Sequence, residues 1–202
     1  MVLPKKNVKE KSFKILDYNL SKQYMLLILN ACDKKAVKHK INFIAMLFFI
    51  SQNLNFSDCE YFFEASDTGI SSEVVERNLE SLIQEKFIKK DEKGYHITYL
   101  GVGYLSSRDF AEDILNLAES MKDLFDDLSA CEVLTLIHFT FPDFLLQSII
   151  DRIIKNRKKT AFKLYDKGKI SASKACEIAD IHFIDFISKA EFELLLWWGV
   201  VF

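Results

Sequence analysis

The chain is poor in the two residues that most often interrupt regular structure, since six glycines and two prolines are spread over 202 residues. Sandwiches and barrels need frequent turns, so this scarcity disfavours them and favours a mainly α-helical fold. Half of the residues are hydrophobic and 28% are charged, a composition that supports a sizeable core and excludes a disordered chain. The length predicts one or two domains.

The apolar runs are too short for a membrane helix. The longest, residues 43–50 and 194–202, have eight and nine residues, against the roughly 20 that a span needs. The lysines near the N-terminus are not followed by an apolar stretch, so we expect no secretory signal. The sequence therefore predicts a cytoplasmic protein without membrane contact.

No motif for metal, cofactor or catalytic chemistry is present. The four cysteines lie too far apart in sequence for a zinc or redox pair and are predicted to be buried, reduced thiols. They are Cys32, Cys59, Cys131 and Cys176. The histidines are isolated from one another, and neither a phosphate-binding loop nor a nucleophile motif occurs. We therefore expect no metal, no cofactor and no enzymatic activity.

The charge is divided into blocks. Counting charged side chains gives −7 for residues 106–150 and +7 for residues 151–174, although the whole chain carries −2. The basic block is typical of a phosphate-binding surface. The acidic block could equally be its intramolecular partner and mask it in the free protein. The carboxylates in question are Asp109, Glu112, Asp113, Asp123, Asp126 and Asp127.

The first half of the chain reads as a winged helix-turn-helix. Residues 23–32 and 40–52 are predicted core helices, and a third helix follows its Ser72 cap and ends near Lys86. Two short alternating runs, residues 87–90 and 95–98, flank a turn and predict a β-hairpin. Three helices followed by a hairpin form a layout common in nucleic-acid-binding proteins.

The stretch FFEASDTGISSEVVERNLESLIQEKFIKKDEKGYHITYLG resembles a winged-helix module of archaeal and bacterial regulators related to the SocA-type antitoxins. The resemblance covers residues 22–105 and continues loosely into 128–144. The third helix exposes mostly glutamates, which phosphates would repel, so the wing lysines are the predicted nucleic-acid contact. These are Lys89, Lys90 and Lys93. The acidic helix could face a protein partner or only solvent.

Residues 107–128 are predicted to form one long amphipathic helix that packs on the winged domain or pairs with a second copy. Two helices follow, separated by Pro142. A basic helix then carries Arg152, Lys155, Lys159 and Lys163 along one stripe, with Lys158 beside it. Gly168 is predicted to end this helix.

A helix-turn-helix is predicted directly after the basic helix. Ser171 or Ser173 caps its first helix, Asp180 takes the left-handed position at the turn, and Phe186 anchors its second helix. The segment AFKLYDKGKISASKACEIADI resembles small prokaryotic helix-turn-helix proteins described as antitoxin-like, which share an Ala-x-x-Leu-Tyr-x-x-Gly-x-Ile-Ser opening. The resemblance implies that residues 171–174 lie near a phosphate backbone.

The end of the chain departs from that pattern. Residues 182–189 offer few hydrogen-bond donors for base edges, so specific base reading from them would be poor. The tail is too apolar to stay in water and is predicted to pack at a homodimer or partner interface. The residues expected at this interface are Trp197, Trp198 and Phe202.

Four segments are thus predicted: a basic arm (1–20), a winged helix-turn-helix (21–105), an acidic linker with connecting helices (106–150) and a basic helix plus helix-turn-helix (151–202). The favoured function is a dimeric transcriptional regulator that binds double-stranded DNA. The alternative is a protein-interaction module, such as an antitoxin or adaptor bound to a toxin or another protein. The DNA-binding candidates outside the wing are Lys155, Lys158, Lys159, Lys163, Lys167, Lys169, Ser171, Ser173 and Lys174.

Overall fold

The computed structural model describes residues 10–53 and 63–186, with side chains from residue 21 onward. This part of the chain is mainly helical and contains small antiparallel hairpins, in agreement with the predicted fold class. Its elements in chain order are α1 (Glu10–Lys34), α2 (Lys40–Asn53), β1 (Glu64–Ser66), β2 (Gly69–Ser71), α3 (Glu73–Gln84), β3 (Ile88–Asp91), β4 (Gly94–Ile97), α4 (Tyr99–Ser106), α5 (Glu112–Phe125), α6 (Ala130–Thr140), α7 (Gln147–Asp166) and α8 (Ala172–Ala179).

The described residues form two compact units. Unit 1 takes them from 10–64 and 70–127, and unit 2 takes them from 65–69 and 128–186. The division at 127/128 falls inside the predicted acidic linker of residues 106–150. Helix α5 packs on α1 and α2 in unit 1, whereas α6 packs on α7 in unit 2.

The core of unit 1 is built around α2. Nine consecutive residues of this helix, Asn42 to Ile50, are buried, because the helix is apolar on every side. Phe43 stacks on Tyr95 of β4 with ring centroids 6.1 Å apart. Between α1 and α2, the backbone of Val37 exchanges two hydrogen bonds of 3.0 Å with that of Tyr95. Val37 therefore adds a third, one-residue segment to the β3–β4 hairpin.

The β3–β4 hairpin lies at the predicted position, with strand ends shifted by one residue. Ile88 pairs with Ile97 and Asp91 with Gly94, and Ile88 and Tyr95 are buried. Gly94 has a φ of +123°, in the region that favours glycine. A side chain at this position would meet the backbone of the segment that pairs with the hairpin, with Lys38 Cα only 2.8 Å from the added Cβ.

We predict that Gly94→Ala destabilises the protein by about 3 kcal/mol, from the unfavourable φ and the displaced Val37 segment together. Chemical denaturation followed by circular dichroism measures the change. Gly103→Ala is the matched control, because an added Cβ there meets nothing within 4 Å. Equal stability of the two variants would contradict the close approach.

The predicted helix over residues 107–128 forms, but it is shorter than predicted and covers only Glu112–Phe125. The chain forms α4, which begins after its Thr98 cap, and then α5, which starts only at Glu112. At the end of α4, the hydroxyls of Ser106 and Ser107 donate to the carbonyls of Val102 and Tyr104. Such side-chain bonds to the backbone compete with continuation of a helix.

The end of α1 is a distorted turn. The helical path breaks at Ala31, whose ψ is 161°, and Cys32, Asp33 and Lys34 all have positive φ. Three consecutive non-glycine residues in this region are costly, so other contacts must fix the turn. Lys122 of α5 supplies one, since its fully buried ammonium donates to the Lys35 carbonyl.

The local features predicted for residues 168–186 in unit 2 lie where the sequence places them. Gly168 has a φ of +66° just after α7, and the Ser171 hydroxyl accepts a hydrogen bond from the Lys174 N–H at the start of α8. Asp180 is left-handed, with φ 53° and ψ 57°. Phe186 is fully buried and stacks on Phe162 of α7 with centroids 4.6 Å apart. The predicted stop, cap, turn and anchor are confirmed.

At Asp180 we predict that substitution by glycine gives a protein about 1 kcal/mol more stable than substitution by alanine, because only alanine retains the left-handed penalty. Both variants lose the ion pair that Asp180 forms with Arg157, so this loss cancels in the comparison. Thermal unfolding midpoints provide the measurement. An alanine variant as stable as the glycine variant would contradict the assigned backbone geometry.

Candidate nucleic-acid interface

The predicted basic stripe lies on the exposed face of α7. At 100° per residue, Arg152, Lys155, Lys159 and Lys163 fall within an arc of about 80°. All four side chains are exposed, as is that of the neighbouring Lys158. Ile149, Ile153 and Leu164 lie on other parts of the helix surface and are buried in the core of unit 2. The geometry thus presents the cations together to solvent.

Among the described residues, four of these lysines form no ion pair, namely Lys155, Lys158, Lys159 and Lys163. An exposed ammonium without a protein carboxylate can bind an external anion without first breaking an internal pair. The four lysines, which we call the α7 lysine cluster, are therefore the part of the predicted site best suited to phosphate.

Two other predicted phosphate contacts are occupied by the protein itself. Lys167 pairs with Glu132 at 2.9 Å, and Lys174 contacts the Glu177 carboxylate at 2.7 Å and the Phe139 carbonyl at 3.1 Å. Lys169 is half-buried. Lys167 and Lys174 thus connect the end of α7 and the start of α8 to α6, and the sequence did not indicate these contacts because the α6 partners lie 35 residues away.

The Lys167 pair is stabilised by the environment of Glu132. Burial favours the protonated form of this carboxyl and by itself would raise its pKa. The backbone N–H and hydroxyl of Ser129 and the Lys167 ammonium outweigh burial and hold the pKa of Glu132 below its ordinary value. Glu132 therefore stays ionised at neutral pH and keeps Lys167 at the start of α6.

The serines that precede and begin α8 differ in their contacts. Ser171 is exposed and its hydroxyl serves as the helix cap, whereas Ser173 is exposed within the first turn. The first backbone N–H groups of α8 lie in the same turn and have no intrahelical partner. Because both serines are exposed, their hydroxyls are accessible from solvent. They lie next to a helix start that favours negative charge.

The wing lysines differ from one another. Lys89 pairs with Asp91 at 3.0 Å, and the Lys90 ammonium lies 5.3 Å from the centre of the Tyr95 ring. The side chain of Lys93 is exposed. Hydrogen bonds from Lys89 and His96 hold the pKa of Asp91 far below its usual range. The wing consequently carries a permanent negative charge that offsets part of its positive charge.

The acidic face of α3 is partly neutralised within unit 1. Glu76 pairs with Lys40 at 2.8 Å, and Glu85 pairs with Lys22 at 2.7 Å. Hydrogen bonds from Lys22 and Ser81 lower the pKa of Glu85. The sequence did not indicate these pairs, because each joins residues from helices far apart in the chain.

The helical turn that follows α8 begins with exposed apolar residues. Residues 183–186 are helical, and Phe183 and Ile184 are 55% and 78% exposed. Their side chains offer no hydrogen bond to a base. The predicted interface residues Trp197, Trp198 and Phe202 lie outside the described residues.

Cysteine burial differs from the prediction. Cys131 is exposed, and Cys32 and Cys176 are half-buried, whereas Cys59 lies outside the described residues. Cys131 is the second residue of α6, a helix start that turns one side to solvent. The described part of the chain contains no cluster of three or more histidine, cysteine or carboxylate side chains suited to a metal ion. None of its helices is long and apolar enough to cross a membrane.

Comparisons with known proteins do not assign a function to this surface. No family model, curated protein or solved structure matches the chain significantly. The functional argument consequently depends on the charges, exposure and contacts of the residues described above.

Proposed function

We propose that the chain is a DNA-binding regulator that contacts the phosphate backbone of double-stranded DNA through the α7 lysine cluster. The observation that carries this proposal is the combination of exposure and charge on one helix. The four lysines are exposed, lie close together along α7 and form no ion pair with any described residue. Such a surface is typical of proteins that displace counterions from a duplex.

The arrangement of unit 1 supports a winged helix-turn-helix assignment. Helix α1, the short extended segment at Val37, helices α2 and α3 and the β3–β4 hairpin follow one another in the order that this module uses. The similarity to SocA-type regulators stated above agrees with this assignment. In the proposal, Lys93 at the wing tip adds a second, weaker phosphate contact.

The proposed binding mode depends on the backbone more than on bases. Phe183 and Ile184 occupy the start of the second helix of the helix-turn-helix, where a base-reading protein needs donors and acceptors. Contacts to phosphate carry no direct sequence information. We therefore expect affinity that varies little with sequence and falls steeply with salt.

A salt titration of the full chain against random-sequence duplex DNA tests the proposal. Binding with a logarithmic salt slope of about −3 to −5 is expected, because each phosphate contact contributes about −0.9. Light scattering on the same sample measures the mass of the free and bound protein. The proposal predicts the mass of a homodimer. Absence of duplex binding at low salt would contradict the proposal.

The alternative is a protein-interaction module such as an antitoxin or adaptor, and the exposed pair Phe183 and Ile184 favours it. Large apolar side chains exposed next to each other are typical of protein interfaces. Under this alternative, Phe183→Ser together with Ile184→Ser abolishes binding of a stoichiometric protein partner. Under the DNA proposal, the same double variant retains duplex affinity within about threefold, because neither side chain contacts phosphate.

A further inference from the structure

Unit 2 contains a cavity that the proposed DNA contacts do not use. Its volume is about 450 Å³, and it opens to solvent between the β1–β2 turn, the start of α6 and the first half of α7. This volume is within the range of about 300–1,000 Å³ common for small-molecule sites. A macromolecular partner is not needed to fill it.

The floor of the cavity is aliphatic. Leu134 of α6 and Ile149 and Ile153 of α7 line it, and all three are largely buried. They line the cavity with branched aliphatic carbon and offer no hydrogen-bonding side chain. An aliphatic group placed against this floor would be removed from water and gain the corresponding hydrophobic free energy.

The rim of the cavity carries one charge of each sign. Asp67, in the β1–β2 turn, and Arg152, on α7, both line it and are exposed. Neither forms an ion pair with a described residue. A guanidinium binds a carboxylate through paired hydrogen bonds, and a carboxylate binds an ammonium.

The start of α6 strengthens the cationic side. Ala130 and Cys131, the first two residues of this helix, also line the cavity. Their backbone N–H groups belong to the first turn, where no intrahelical acceptor exists. The Glu132 carboxylate at the same helix start is paired with Lys167, so these N–H groups and Arg152 together favour an anionic group on this side of the cavity.

From this combination we infer that the cavity binds a free aliphatic α-amino acid. Its carboxylate contacts Arg152 and the start of α6, its ammonium contacts Asp67, and its side chain lies on the floor formed by Leu134, Ile149 and Ile153. The ligand class follows from the presence of both charges beside one aliphatic surface. The inference does not depend on DNA binding.

Isothermal titration calorimetry of the full chain tests this inference with three probes that share the isobutyl side chain of leucine. These are L-leucine, 4-methylpentanoate, which lacks the amine, and 3-methylbutylamine, which lacks the carboxylate. L-Leucine is expected to bind at least about tenfold more tightly than either fragment, because each lost charged hydrogen bond has at least this effect. No binding of L-leucine at millimolar concentration would overturn the inference.

Two variants test the proposed carboxylate contact and the proposed ammonium contact separately. Arg152→Gln should weaken L-leucine and 4-methylpentanoate by about tenfold and leave 3-methylbutylamine unchanged, and Asp67→Asn should weaken only the two amines. Arg108→Gln and Asp143→Asn are the controls, since they make the same charge changes away from the cavity. The assignment would be overturned if both test variants changed the affinities of the two fragments equally. It would also be overturned if neither variant changed the affinity for L-leucine.

Discussion

Replacing Lys155, Lys159 and Lys163 together by glutamate is expected to reduce affinity for random-sequence duplex DNA by at least about 1,000-fold at low salt. The substitution removes three proposed phosphate contacts and places three like charges against the backbone. All three side chains are exposed, so the fold of unit 2 should be unaffected. Fluorescence anisotropy with a labelled duplex measures the change.

A control with the same change in net charge separates a local contact from a general repulsion. Lys34, the last residue of α1, and Lys35 and Lys38, which lie between α1 and α2, are exposed and belong to unit 1. Their replacement by glutamate should weaken duplex binding by less than about tenfold, through the long-range field alone. Equal losses in the two triple variants would contradict the assignment of the phosphate site to α7.

Substitution of Lys122 by alanine should lower the free energy of unfolding by about 3–5 kcal/mol, the largest stability effect we expect. The ammonium donates to the Lys35 carbonyl and lies 3.6 Å from Asp126, with its side chain fully buried. Its removal leaves both groups without this partner and releases the turn at Cys32, Asp33 and Lys34. Urea denaturation followed by circular dichroism provides the measurement.

Two further variants show which part of Lys122 matters. Lys122→Met keeps the aliphatic stem, so its cost should fall to about 1–3 kcal/mol, the effect of the lost polar contacts. Lys38→Ala removes an exposed lysine of the same segment and should change stability by less than about 0.5 kcal/mol. If Lys122→Ala were as stable as Lys38→Ala, the proposed role of the buried ammonium would be wrong.

Stability should also depend on pH through Lys122. Burial lowers the pKa of this ammonium from the ordinary 10.5. The unfolded chain therefore binds the proton more tightly than the folded protein, and folding becomes more favourable as pH rises toward the ordinary value. The unfolding free energy of wild type minus that of Lys122→Met should increase as pH rises toward 10.5. A constant difference would contradict the burial of a charged lysine.

Features encoded by local patterns could be predicted from the sequence. The Ser72 cap of α3, the β3–β4 hairpin and the left-handed Asp180 each depend on a few adjacent residues, and each lies where expected. The amphipathic character of α7 likewise follows from spacing along one helix, which is why its lysines could be named from the sequence alone.

Features that depend on distant partners could not be predicted. Lys122 reads as a surface residue of an acidic helix, because the carbonyl that it contacts lies 87 residues away. Lys167 reads as a phosphate ligand for the same reason, since Glu132 lies 35 residues away. The predicted helix over residues 107–128 forms only over Glu112–Phe125, because its apolar spacing did not define where the helix begins and ends.

The salt dependence of duplex binding by a neutral variant tests the central claim most directly. Lys155→Gln, Lys159→Gln and Lys163→Gln together remove three cations without adding repulsion. If these lysines contact phosphates, the slope of log affinity against log salt should become less steep by about 2.7, or about 0.9 for each contact. An unchanged slope would contradict the claim that the α7 lysine cluster binds the DNA backbone.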